Sequence, residues 1–203
     1  LIATIKNGAT FSWDPNGGFA TRAALVSGAP TKSVMTMVSD RDRHLIILGT
    51  ETTIGSPTTQ DKMFIRFSDQ ESLTDYTATS TNTAGSFRID SGTKIVGAAK
   101  AKDYVLILTD TSAYLMQFVG PPFTFSIRQV GSNCGCLGQH SIVYANGAVY
   151  WMSDSGGFFV FDGTVKSLGS LVEDFVFQTN NNTPGLNFAN GAEITCGSHN
   201  SLF

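Results

Sequence analysis

The residues best placed to do chemistry lie in "VYWMSDSGGFFVFDG", Val149 to Gly163. Asp154-Ser155-Gly156-Gly157 is the local setting of the nucleophile in proteases that use a Ser-His-Asp triad. Such a serine needs a histidine base within hydrogen-bond reach and an acid to orient that base. His44, Asp103 and Ser155 fall in the chain order that one class of these enzymes uses. Their settings argue against it: His44 follows the charged run "DRDR" and opens an apolar strand, and Ser153 stands where the motif has glycine. Ser153 to Gly157 also makes an ordinary five-residue hairpin loop, with two glycines to supply the turn. The loop is the preferred reading, and no catalytic residue is assigned.

Cys134-x-Cys136-x3-His140 and Cys196-x2-His199 would supply five zinc donors if the two segments met in space. A structural zinc site usually carries Cys-x2-4-Cys, which Cys134 and Cys136 do not match, and free cysteine packs as a small hydrophobe. No metal site and no cofactor is assigned. Asp110, Asp154 and Asp162 could serve glycoside hydrolysis only as a pair flanking one cleft. All three fall in predicted turns, where aspartate is favoured for its hydrogen bonds to backbone amides. Gly135 to Gly138 matches neither a dinucleotide fingerprint nor a P-loop. Phe123 and Phe125 after Pro121-Pro122, then Trp151, Phe158, Phe159 and Phe161, could stack on sugars in a groove. Aromatics alternating along short strands are more often sheet core.

Composition restricts the partners. Charged residues make up 14% of the 203 positions, well below the usual quarter or so, and Ser, Thr, Asn and Gly take their place. An uncharged but polar exterior suits a protein largely covered by neighbours. A net charge of -3 argues against gripping nucleic acid through a basic patch, though not against a pore that lets a polyanion slide past. No apolar run reaches membrane-spanning length. Three cysteines, two of them too close to bridge, make a disulfide framework unexpected and favour assembly in a reducing compartment.

The elements that would position these residues recur along the chain. "SIVYA", Asn146-Gly147, "AVYWM", "SDSGG", "FFVF", Asp162-Gly163 and "TVKSL" read as a four-stranded antiparallel meander. "IVGAAKA", "YVLIL", "AYLMQF" and "FSIRQV" repeat the plan, and "SVMTMVS", "HLIIL" and "MFIRF" begin it again. Second strands starting at 44, 104 and 148 give intervals of 60 and 44 residues. Meanders at such intervals are the signature of β-propeller blades. "LIIL" and "YVLIL" are apolar on both faces, as strands between stacked blades must be, whereas a sandwich strand alternates. The fold class expected is all-β, a β-propeller region over 1–203 with blades about 34–67, 95–130 and 141–168. A partial blade is expected at 192–203, and the chain reads as an incomplete piece of a longer one. Gln70 to Tyr76 is the best helical candidate and no more than a turn; Thr74 to Ser86 reads as a surface loop.

Gly120 to Leu168 and Val172 to Phe177 resemble the tail nozzle and packaged-DNA stabilisation proteins of short-tailed bacteriophages. The matching pieces are Pro122-Phe-x-Phe125, the linker Arg128-x-x-Gly131-x-x-x-Gly135, and the hairpin "YWMS…GFFVFDG"; "FSDQESLTDY" (Phe67 to Tyr76) is similar as well. The resemblance covers roughly residues 43–177. It implies a β-propeller-containing subunit of a homo-oligomeric ring, a hexamer in that family, below the portal and adaptor. Such rings close the head, retain the DNA and conduct it during ejection, without sequence-specific contacts. It further implies head–tail adaptor and tail fibre partners, a place in the virion tail after assembly in the host cytoplasm, and no enzymatic residues. The alternatives are a carbohydrate-binding propeller (a lectin or adhesin) and, further off, a propeller glycoside hydrolase.

Overall fold

A computed structural model describes residues 1–39, 41–177 and 185–198. The chain is all-β, with fifteen strands in four antiparallel sheets among the described residues. In order these are β1 (Ile2–Thr4), β2 (Thr10–Ser12), β3 (Ala24–Leu25), β4 (Met35–Val38), β5 (Leu45–Leu48), β6 (Phe64–Phe67), β7 (Gly85–Arg88) and β8 (Ile95–Lys100). There follow β9 (Val105–Thr109), β10 (Ser112–Gly120), β11 (Thr124–Ser132), β12 (Ile142–Ala145), β13 (Ala148–Met152), β14 (Phe158–Phe161) and β15 (Val165–Ser167). Each sheet is a meander of sequential neighbours: β1-β2-β3, β4-β5-β6-β7, β8-β9-β10-β11 and β12-β13-β14-β15. Two compact units result, unit 1 from Leu1–Asp90 with Phe118–Ser126, and unit 2 from Ser91–Gln117 with Ile127–Phe203.

In unit 1 the first strands of the two sheets lie against each other, β1 on β4, with the hydroxyls of Thr4 and Thr36 hydrogen-bonded at 2.6 Å. All four residues of β5 are buried. Leu45 and Ile47 face a core with Val26, Ala29 and Tyr76, while Ile46 and Leu48, pointing oppositely by strand alternation, are equally enclosed. The first predicted blade therefore needs extending. Its fourth strand is β7, beyond position 67, where the sequence suggested the end of a surface loop. Three of the four β7 residues are exposed, so that strand carries no apolar alternation to betray it. Gln70 to Tyr76 forms turns and bends.

The four-stranded meanders expected over about 95–130 and 141–168 are present as β8–β11 and β12–β15, and all of these residues belong to unit 2 except Phe118–Ser126. Every residue of β9 is buried. Leu106, Leu108, Ala113 and Leu115 of one sheet share a core with Val149, Trp151 and Phe161 of the next. First strands again lie together, β8 against β12, so closely that a Cβ on Gly97 would come within 2.7 Å of Ile142 Cδ1. Asn146 and Gly147 both take positive φ, 50° and 84°, the two-residue turn their sequence demands. Asp162-Gly163 differs: Phe161 pairs with Val165 and only Gly163 has positive φ, making a three-residue loop. After β15 come a short helix α1 (Glu173–Phe177) and a 3-10 helix at Phe188–Glu193. The partial blade expected from residue 192 is not formed in its first strand, since residues 194–198 have no regular structure; the remainder lies outside the described residues.

Trp151 tests the unit 2 core. It is 2% exposed, stacks on Phe159 with ring centres 5.7 Å apart, and its indole N–H donates to the Cys134 carbonyl at 2.9 Å. Trp151→Ala should cost about 3–5 kcal/mol of unfolding free energy. Trp151→Phe, which keeps a ring but strands the buried carbonyl, should cost about 1–3 kcal/mol. Urea titrations followed by circular dichroism give both values, and an order other than wild type, then Phe, then Ala would contradict this packing.

Candidate functional site

Ser155 sits at the tip of the β13–β14 loop, where Met152 pairs with Phe158 and five residues intervene. The loop closes through the Ser153 amide donating to the Gly157 carbonyl at 3.0 Å, with Gly156 and Gly157 at φ 88° and 112°. The Ser155 hydroxyl lies 2.8 Å from that of Ser153, a buried residue, and so completes a turn. Asp103 occupies the β8–β9 turn, closed by the Ala101 amide donating to the Tyr104 carbonyl. His44 is fully buried in unit 1, its Nε2 engaged 3.0 Å from the Thr83 hydroxyl. Ser155 and His44 are thus each engaged by a neighbouring hydroxyl.

The two cysteine segments do approach one another: the Cys196 amide donates to the His140 carbonyl at 2.7 Å. Cys134 and Cys136 are buried, and burial pushes each thiol up to about 11. The Cys136 thiol donates to the Gly138 carbonyl at 3.2 Å and lies 3.4 Å from the Ser141 hydroxyl. No group of three potential metal-binding side chains occurs among the described residues; His199 lies outside them. Thiols held so far above neutrality are protonated and packed as small apolar groups.

Asp110 and Asp162 are engaged in turns. Asp110 accepts from the Thr93 amide at 2.8 Å and from the Thr93 hydroxyl; burial opposes ionisation there, but these bonds prevail and hold the carboxyl below its usual range. Asp162 pairs with Lys166 at 2.7 Å on the surface, and Asp154 is exposed. A surface cleft of about 370 Å³ in unit 1 is lined by Val38, Arg43, Leu45, Glu71, Ser72 and Leu73. Its one carboxylate, Glu71, is paired with Arg43 at 2.8 Å. Among the aromatics, Trp151 and Phe161 are core, Phe158 packs edge-on against Phe177, and Phe123 stands 77% exposed.

The most organised polar cluster surrounds His44, and its partners come from distant points of the sequence. The Thr83 hydroxyl donates to Asp69 Oδ1 at 2.6 Å and accepts from the Gln70 amide at 3.0 Å. Its one proton is thus committed, so His44 Nε2 must be the donor in their contact. Nδ1 then carries a lone pair, and this buried atom has no hydrogen-bond partner. Phe67, Phe118 and Phe125 enclose the ring at centroid distances of 6.4, 5.9 and 5.1 Å. The Thr124 hydroxyl donates to the Thr83 carbonyl at 3.0 Å, fastening the β10–β11 tip to the same residue. Only His44 itself was conspicuous in the sequence; Asp69, Thr83 and Phe118 carry no local signal.

Compared with known proteins, the chain matches no family model and no curated sequence. No helix among the described residues is long and apolar enough to cross a membrane.

Thiol reactivity checks the cysteine assignment. At pH 8 a thiol held near 11 is thiolate to about one part in a thousand. Cys134 and Cys136 should therefore resist iodoacetamide in the native chain over a period that fully labels the urea-unfolded chain, as read by peptide mass spectrometry. Rapid native labelling of either would show an accessible, activated thiol instead.

Proposed function

We propose that the chain is a structural virion protein of a tailed bacteriophage, part of a tail nozzle that closes the head, retains packaged DNA and conducts it during ejection. The observation that carries this reading is the serial arrangement of meander sheets whose first strands lie side by side, β1 on β4 and β8 on β12. Strands of this kind come together when sheets are arranged radially, as propeller blades are. The propeller assignment is part of the proposal.

The motif positions support a mechanical role. In the linker Arg128-x-x-Gly131-x-x-x-Gly135, a Cβ on Gly135 would come within 2.0 Å of the Asp110 carbonyl oxygen. That glycine is demanded by backbone packing against the β9–β10 turn. "YWMS…GFFVFDG" forms the β13–β14 hairpin, whose polar residues make turns. The low charge fits a conduit as well. Lys100 is the single charged residue among the first strands β1, β4, β8 and β12. Sparse charge leaves little to hold a polyanion by counterion release.

Ring formation is the direct test. Negative-stain micrographs and sedimentation velocity of the purified protein should show closed homo-oligomeric rings, and duplex DNA should show no saturable binding by fluorescence anisotropy near physiological salt. A strictly monomeric protein over the micromolar range would defeat the reading, the more so if a glycan array returned a specific, saturable ligand.

A further inference from the structure

Three buried polar side-chain atoms lack partners among the described residues: His44 Nδ1, Arg66 Nε and Tyr76 Oη. Arginine stays charged at any biological pH, and burial drives the Tyr76 hydroxyl upward, away from neutrality. Only His44 can change charge in the range a protein meets. Its position gives that change a consequence, because Phe118 and Phe125 of the β10–β11 tip cover the ring. They also contact one another at 5.7 Å, and Phe125 meets Phe67 at 4.9 Å.

We propose that the tip of the β10–β11 hairpin, Phe118–Ser126, is a latch within unit 1 that protonation of His44 opens. The neutral ring already donates from Nε2 to Thr83, so the added proton goes to Nδ1, which makes no hydrogen bond in the closed form and which the Asp42 backbone favours too weakly to offset burial. A cation enclosed by aromatic rings is costly, and it regains water only if the covering rings move. The tip is held by two phenylalanines and one side-chain hydrogen bond, Thr124 to the Thr83 carbonyl, and contains no titratable residue of its own.

Asp42, on the turn before β5, and Asp69, after β6, favour the imidazolium, yet burial outweighs them and His44 lies below its ordinary value of 6.5. On the same turn Arg41 lies 4.0 Å from Asp42 and Arg43 pairs with Glu71. Arg66 of β6 donates to the carbonyls of Glu51 and Thr52, and Arg88 of β7 pairs with Asp61. The sign follows from linkage: when the closed form takes up protons less readily than the open one, closure is favoured at higher pH. The latch contribution is complete above about 6.5 and is lost as pH falls through the lower closed-state value.

Hydrogen exchange at about pH 7.5 and about pH 5, corrected for intrinsic rates, tests this on the intact chain. Tip amides should exchange about tenfold faster at the lower pH while β8 and β9 amides stay protected, and His44→Gln should remove the difference. If His44→Gln does not fold, nitrogen-15 spectra of the wild type serve: the amides of Phe118, Thr124 and Phe125 should shift with the His44 ring midpoint, below 6.5. Tip exchange that is unchanged by acid, shared equally by β8 and β9, or retained in His44→Gln overturns the latch. So do tip amides that fail to follow the His44 ring. Rings in the micrographs with no acid response would reject the latch alone, and an acid response in a monomer would reject the nozzle alone.

Discussion

Everything in the structure follows from the burial of both faces of the middle strands. Leu45–Leu48 and Val105–Thr109 have no exposed residue on either side. Fully burying one such aliphatic side chain contributes about 1.5–3 kcal/mol. Leaving two of them wet on one face would thus sacrifice about 3–6 kcal/mol, comparable with the net stability of a typical domain. A single sheet with one solvated face is therefore not an option for these sequences. They require layers on both sides, and the meander provides them with the shortest connections. Because each sheet exits at its last strand, the next begins anew, and first strand meets first strand within each unit.

Enclosing the middle strands also encloses the ends of their turns, and this fixes the polar residues there. Thr109 is fully buried and its hydroxyl accepts from the amide of Ser112 at 2.8 Å, closing the β9–β10 turn from inside. Glu51 is equally buried, and its carboxylate accepts from the Thr31 amide and hydroxyl and the Gly55 amide. Removing a carboxylate from water is tolerated only with such bonding. The loop after β5 is therefore organised around one acid. The Ser, Thr and Asn that replace charged residues in the composition are in large part these turn fillers.

This division explains what was legible in the sequence. β8 to β15 could be read strand by strand, because their apolar runs are bounded by Asn-Gly, paired glycines or short polar turns. β7 was not legible, since "GSFR" borrows its place from hydrogen bonds to β6 and presents mostly solvent-facing side chains. The three-stranded sheet of β1, β2 and β3 escaped for a similar reason: its strands have three, three and two residues, too short to show a period. "AEITCG" failed in the other direction. Its alternation suits a strand, yet the first two residues end a 3-10 helix, and the Cys196 amide pairs with the His140 carbonyl rather than with a sheet neighbour. Nothing local marks Thr83 as the residue on which His44, Asp69 and Thr124 converge, because that convergence exists only once the meander has formed.

The residues that looked chemical share one property with those that are merely structural: small polar side chains suit both nucleophilic sites and tight turns. What separates the two uses is hydrogen-bonding capacity left over after folding. Ser155, Asp162 and Cys136 each have a partner within a few residues, and Asp110 has one in Thr93, just before β8. These bonds tie the side chains to the backbone geometry they stabilise. His44 differs. One nitrogen is committed and the other is buried without a partner, under aromatic rings belonging to a hairpin tip from much later in the chain. A buried group with spare capacity is expensive to keep, and any event that gives it a proton changes what the surrounding rings can cover. Responsiveness in this molecule therefore resides at His44 rather than at the Asp-Ser-Gly-Gly turn.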